Sequence, residues 1–220
     1  MPIILVPGTH ATEDRFDAFT SDLSTSYHHQ ATTMKITVMK DLTLDYSGAK
    51  LTPDTHRPFI VIALEDLFQR YHFKQFDAVG HSNGGLVLTN FLEYHSSEIK
   101  SQLRHLVTVA TPYNDTKQTD NGTNSDITKI PTQTHLLTNF IDRNVFIPKS
   151  ITLLNITGDI KDNHESDGIV PVNSALSGSL IYKDVIQSYR EKVVTGKGAG
   201  HSDILEDDAT KEAIIEFIYR

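Results

Sequence analysis

The stretch "FDAVGHSNGGLVLTNF", residues 76–91, decides how this chain is read. A short apolar run reaches Gly80. His81, Ser82, Asn83, Gly84 and Gly85 follow, and then apolar residues recur at helical spacing. Gly and Ser are ordinary turn formers, so the segment is at least a turn. The sharper reading takes G-H-S-N-G (80–84) as G-x-S-x-G, a tight strand-to-helix turn that pushes a serine hydroxyl out above a sheet. Small residues two before and two after the serine leave room for the neighbouring strand and helix. The same turn aims the Asn83 N–H toward a developing oxyanion. Five residues alone are a modest signal. An apolar strand before them and an apolar helix after them supply the required context, and Ser82 is the expected nucleophile.

A hydroxyl nucleophile needs a base, and the base needs a carboxylate to fix its tautomer. The chain has 11 histidines, so position has to discriminate between them. His201 in "TGKGAGHSDI" lies after the last expected strand and before the last expected helix. The acid should precede it in the chain order Ser, acid, His. Asp159, Asp162, Glu165 and Asp167 are the candidates. Asp167, in the tight Gly turn of "SDGIVP" (166–171), is preferred, Asp159 at the strand end is the runner-up, and Asp203 is third because it follows His201. The second oxyanion donor should come from the loop after the first strand. That loop is "VPGTHA" (6–11), which nominates the Thr9 N–H, while Pro7-Gly8 also makes a turn. His10 and His81 are candidate pocket-lining residues. His28, His29, His56, His72, His95, His105 and His135 read as surface or packing residues.

The rest of the chain alternates strand-like and helix-like segments. "IILV" (3–6), 34–40, 103–112, 150–159 and 191–196 read as strands, and 13–27, 84–99 and 207–219 as helices. Residues 41–57 read as loop or hairpin. In 58–73 strand and helix signals run together with no turn between them. Such alternation implies an α/β fold, a mainly parallel sheet flanked by helices on both faces. Ligands in such folds bind beyond the carboxyl ends of the strands. The long excursion 112–148, polar over 113–130, reads as a cap or lid in a single domain spanning 1–220.

Composition sets outer limits. A formal net charge of −8 argues against nucleic acid and anionic membranes as partners. The absence of cysteine excludes disulfides, thiol nucleophiles and Cys-ligated zinc. No apolar run is long enough to span a membrane. The start lacks a signal peptide's basic and apolar regions. The expected location is therefore cytoplasmic, or cell-surface or secreted if a leader was trimmed. "DIKDNHESD" (159–167) carries oxygen ligands without the spacing of a calcium loop and reads as a solvated loop. Three N-x-T sequons carry little weight.

Taken together, "VPGTHATEDRFDAF", "GHSNGGLVLTNFLE", "VATPYN", "SDGIVPVNSA" and "GHSDI" resemble the α/β-hydrolase fold. More narrowly they are similar to a family from Gram-positive bacteria labelled as cell-surface hydrolases, over nearly the whole chain. The resemblance implies a serine hydrolase with no metal or organic cofactor, acting on a small-molecule acyl substrate. Matched position by position, it supports Ser82, Asp167 and His201, with Thr9 and Asn83 as oxyanion donors. The chain departs from the family pattern twice. It has nothing where relatives carry a loop after "FIVI", and "VPGTH" replaces the commoner His-Gly. Amidase, thioesterase, lipase and a catalytically silent binding module are the alternatives to an esterase.

Overall fold

Residues 3–6, "IILV", are apolar at every position, and all four are buried. A strand buried on both faces belongs in the interior of a parallel sheet. The structure, a computed structural model, describes residues 2–8, 13–26, 32–38, 44–52, 55, 58–61, 74–99, 102–123, 125–161 and 164–219. Its strands are β1 (Ile3–Val6), β2 (Thr33–Val38), β3 (Leu44–Gly48), β4 (Phe59–Val61), β5 (Phe76–His81), β6 (Leu103–Val109), β7 (Thr152–Asp159) and β8 (Ser188–Thr195). They form one sheet in the order β3-β2-β4-β1-β5-β6-β7-β8, and only the β2–β3 pair is antiparallel. From β1 the chain reaches β2 and β4 on one side, then crosses to β5 on the other. The crevice at that reversal is where an open α/β sheet accepts a ligand.

Helices cover both faces. They are α1 (Asp17–Ser26), α2 (Asn83–Tyr94), α3 (Ser96–Ile99), α4 (Gln118–Asn121), α5 (His135–Arg143), α6 (Val172–Leu176), α7 (Gly178–Tyr182) and α8 (Asp208–Tyr219). Alternation along each strand divides the core in two. Ile4 and Val6 pack with Leu88, Phe91 and Leu92 of α2 and with Leu137 and Phe140 of α5. Ile3 and Leu5 pack with Phe16 and Phe19 and with Ile214 and Ile218 of α8.

The segment 41–57, read as loop or hairpin, contains β3, which pairs with β2 as a hairpin. Of the ambiguous 58–73, Phe59–Val61 is strand, and 62–73 lies outside the described residues. Helices α6 and α7 were not expected. Within 112–148, Leu137, Phe140 and Ile147 are buried in the core, and Asn114 and Asn121 are fully buried. The Asn114 amide donates to Asn121 Oδ1 and the Thr132 carbonyl, and its oxygen accepts from the Thr134 N–H. Polar residues thus satisfy the backbone of this excursion.

Glu93 on α2 is only 4% exposed, and its Oε1 has no hydrogen-bond partner among the described residues. The Arg143 guanidinium lies 3.7 Å over the Tyr94 ring and donates to the Glu93 backbone carbonyl. Burial pushes the Glu93 carboxyl up to about 8, against the opposing pull of Arg143. Folded Glu93 therefore keeps a proton that the unfolded chain loses near 4.5. Stability should fall as pH rises between those two values. Glu93→Gln removes this dependence, so its melting-temperature advantage over wild type should grow from about pH 5 to about pH 8. A constant difference across thermal melts would show that the carboxyl ionises freely in the fold.

Candidate active site

Strand β5 ends at His81, and α2 begins at Asn83, leaving Ser82 alone to make the turn. Its backbone sits at φ 55°, ψ −130°, a conformation that side-chain-bearing residues rarely adopt. Ser82 N–H donates to the Val109 carbonyl of β6 at 2.8 Å, and Gly85 N–H donates to the Ser82 carbonyl at 3.0 Å. The start of α2 lies hard against β1. A Cβ on Gly84 would sit 2.1 Å from the Val6 carbonyl oxygen. Val6 is in register with Gly80, so the chain leaving β1 passes over the serine. A Cβ on Gly8 would lie 2.8 Å from Ser82 Cβ.

Three loops meet at this point. His201 Nε2 lies 3.0 Å from Ser82 Oγ, and His201 Nδ1 lies 2.7 Å from Asp167 Oδ2. A carboxylate only accepts, so Nδ1 carries the proton and Nε2 accepts from the serine hydroxyl. Asp167, 3% exposed, has Oδ1 occupied by the N–H groups of Ile169 at 2.9 Å and Val170 at 2.6 Å. The tight Gly turn makes this possible, with Gly168 at φ 91°. The runner-up Asp159 is buried but turned to Lys161, accepting from its backbone N–H and its ammonium. Glu165 accepts from Ser125 Oγ, and Asp203 is exposed. Asp162 lies outside the described residues.

Asn83 opens α2, so its backbone N–H lies at the N-terminal end of that helix. Thr9 and His10 lie outside the described residues, although Gly8 beside them touches Ser82. His81 is 4% exposed. Its Nε2 lies 3.0 Å from the His201 carbonyl, and burial, helped by His201 and Arg15, lowers its protonation to about 3. Arg15 was not singled out by sequence. Its guanidinium donates to the Ser202 carbonyl at 2.7 Å across 187 residues of chain, a contact with no local signature. Among the described residues no group of three or more His, Cys, Asp or Glu is placed to hold a metal ion.

The family model described as an α/β hydrolase of unknown function (DUF915) matches residues 1–66 and 60–220. The chain belongs to this α/β-hydrolase family. The two matched pieces overlap at 60–66, within the stretch where strand and helix signals run together. The product of the lin2722 gene from Listeria innocua aligns with 100% of this chain and 94% of its own, at 30% identity and TM-score 0.88. A protein designated a candidate cell surface hydrolase, from Lactobacillus plantarum WCFS1, aligns with 99% of this chain and 89% of its own, at 31% identity and TM-score 0.77. A thermostable carboxyl esterase from Bacillus coagulans, at 12% identity, covers 99% of this chain and 89% of its own with TM-score 0.54, a likeness of fold alone. No curated protein matches the chain. Among the described residues no helix is long and apolar enough to cross a membrane.

The packing of Gly84 is open to a direct test. Gly84→Ala forces α2 away from β1 and should cost roughly 1–3 kcal/mol, as overpacking does. Urea unfolding would show a lower midpoint at unchanged slope. An unchanged midpoint would mean that α2 shifts freely and the close contact is not a constraint.

Proposed function

We propose that this hydrolase-family chain is a serine hydrolase that cleaves an ester-like acyl bond through an acyl-enzyme. The observation that carries the reading is the continuous relay from Ser82 Oγ to His201 Nε2, and from His201 Nδ1 to Asp167. His201 takes the serine proton as Oγ attacks the carbonyl carbon, and Asp167 steadies the imidazolium that forms. The N–H groups of Asn83 and Thr9 hold the negative oxygen of the tetrahedral intermediate. His201 returns its proton to the departing alcohol, leaving the acyl group on Ser82. A water that gives a proton to His201 then attacks that ester. The second intermediate collapses, His201 reprotonates Ser82, and the acid leaves.

The reading treats 1–220 as one hydrolase domain with 112–148 bordering the substrate side as its cap. The polar 113–130 favours a short or polar acyl group. The net charge of −8 is consistent with a small-molecule substrate and disfavours nucleic acid. A cell-surface location is taken from the designation of the Lactobacillus relative.

A fluorophosphonate probe followed by mass mapping should label Ser82 in the wild type, and p-nitrophenyl esters of increasing chain length should turn over with an optimum. Ser82→Ala should abolish labelling and cut hydrolysis by roughly 10³-fold or more. Asp167→Asn, which leaves the base in the wrong tautomer, should cost about 10⁴-fold in kcat. Folded wild-type protein that takes no label would overturn the reading.

A further inference from the structure

His81 is a buried imidazole that the steps above do not use. Its Nε2 faces the His201 carbonyl oxygen at 3.0 Å. A carbonyl cannot donate, so Nε2 must carry a proton, which fixes the His81 tautomer whenever the ring is neutral. Its other nitrogen, Nδ1, is buried with no hydrogen-bond partner among the described residues. The ring centroids of His81 and His201 lie 4.9 Å apart, tilted by 43°. The His201 backbone is also held elsewhere. Its N–H donates to the Asp167 carbonyl at 2.8 Å, and the next carbonyl, of Ser202, accepts from Arg15 at 2.7 Å.

We propose that His81 is a positioning residue for the His201 base: as a neutral N–H donor from β5, it pins the His201 carbonyl so that one imidazole meets both Ser82 and Asp167. The inference builds on the serine-hydrolase reading of the same site. His201 stands on a loop beyond β8, whereas Ser82 is locked to the end of β5. A contact from the residue preceding the nucleophile to the backbone of the base ties the two together directly. Loops need such ties, because a 1 Å error in the placement of a reacting group can cost about 10²-fold.

A second requirement is that the donor be uncharged. The His201 ring becomes a cation during each half-reaction, and a cation in place of His81 would oppose it. The groups facing His81 among the described residues are His201 and the Arg15 guanidinium, and Arg15 is itself balanced by Glu206 and Asp203. Burial, His201 and Arg15 each disfavour a proton on His81, holding it down to about 3. An asparagine or lysine at this position would fail on reach or on charge. Glutamine, whose amide nitrogen extends about as far as Nε2, would keep a neutral donor.

The test uses two variants and two readouts on the full-length protein. His81→Leu fills the space without a donor, and His81→Gln retains one. His81→Leu should lower kcat for a p-nitrophenyl ester by about 10–100-fold, the scale set by misplaced groups, with KM within about twofold. His81→Gln should return kcat to within a few-fold of wild type. A merely structural role would lower the melting temperature of both variants and leave the kcat of the folded protein unchanged. Equal losses in the two variants, or wild-type kcat in His81→Leu, would overturn the proposal.

The second readout needs no turnover. Side-chain ¹⁵N NMR of the wild type should show His81 as the neutral Nε2–H tautomer from about pH 5 to pH 8. The downfield His201 Nδ1 proton should weaken in His81→Leu and return in His81→Gln. An Nδ1–H tautomer, or titration of His81 near neutrality, would overturn the proposal even if no variant folds. Failure of the wild type to accept a fluorophosphonate would instead strike the serine-hydrolase reading, leaving the NMR result to judge the clamp.

Discussion

The conformation of Ser82 is the constraint on which the rest of the site depends. A non-glycine residue at φ 55°, ψ −130° costs on the order of 1–3 kcal/mol. Fully burying one large apolar side chain contributes roughly 1.5–3 kcal/mol. β5 buries Phe76 and Val79, and α2 buries Leu88 and Leu92, all at 2% exposure or less. The elements on either side of the serine therefore outweigh the strain between them several times over. If the turn relaxed, α2 would have to leave the Val6 carbonyl that Gly84 touches, and the core contacts of Leu88 and Leu92 would go with it.

Charge is handled as tightly as shape. Asp167 is buried, yet each carboxylate oxygen has donors: two backbone N–H groups on Oδ1 and the imidazole on Oδ2. In the proposed reaction the carboxylate waits beside the ring that becomes cationic, with no reorganisation required. A second cation in place of neutral His81, 4.9 Å away, would oppose that ring by roughly 3 kcal/mol at an effective dielectric of about 20. That would offset much of what the carboxylate contributes. Burial keeps the adjacent His81 imidazole neutral, so it adds no competing charge beside that ring.

Much of this was legible in the sequence, for local reasons. β1 coincides with "IILV" because an interior strand must be apolar at every position. Ser82 was visible because its turn imposes small residues on both sides, and Asp167 because a tight turn needs Gly168. β8 begins earlier than "EKVVTG" because an edge strand pairs only with β7, so polar Ser188 and exposed Arg190 are tolerated there, while Tyr189 between them packs on the core beside Tyr182. The short helices α6 and α7 pass through too few residues to show a period. The polar excursion after Pro112 looked exposed, yet Asn114 and Asn121 are interior because they replace the backbone pairing that a strand or helix would supply. Asp167 is the carboxylate that meets the His201 ring, while Asp159 is occupied by Lys161, a pairing with no mark in the sequence. The Arg15–Ser202 contact joins opposite ends of the chain and leaves no trace in either.

The short distances between Ser82, His201 and Asp167 are inherited from the sheet. Parallel pairing sets Gly80 beside Thr108, Val109 beside Ile156 and Asp159 beside Thr195, so β5 to β8 end on one side. Slipping any of these strands by one residue would turn its side chains to the opposite face, which two separate cores forbid. The register therefore fixes where the loops begin, while cross-links fix where they end. Gly158 admits the Ala199 carbonyl so closely that a Cβ would lie 2.1 Å from it, drawing the loop after β8 down onto β7. The His201 N–H then bonds the Asp167 carbonyl, making the acid loop and the base loop one body. His81 joins that body to β5. A loop-borne imidazole held in this way has little freedom left, and its Nε2 stays 3.0 Å from Ser82 Oγ while Nδ1 stays on Asp167.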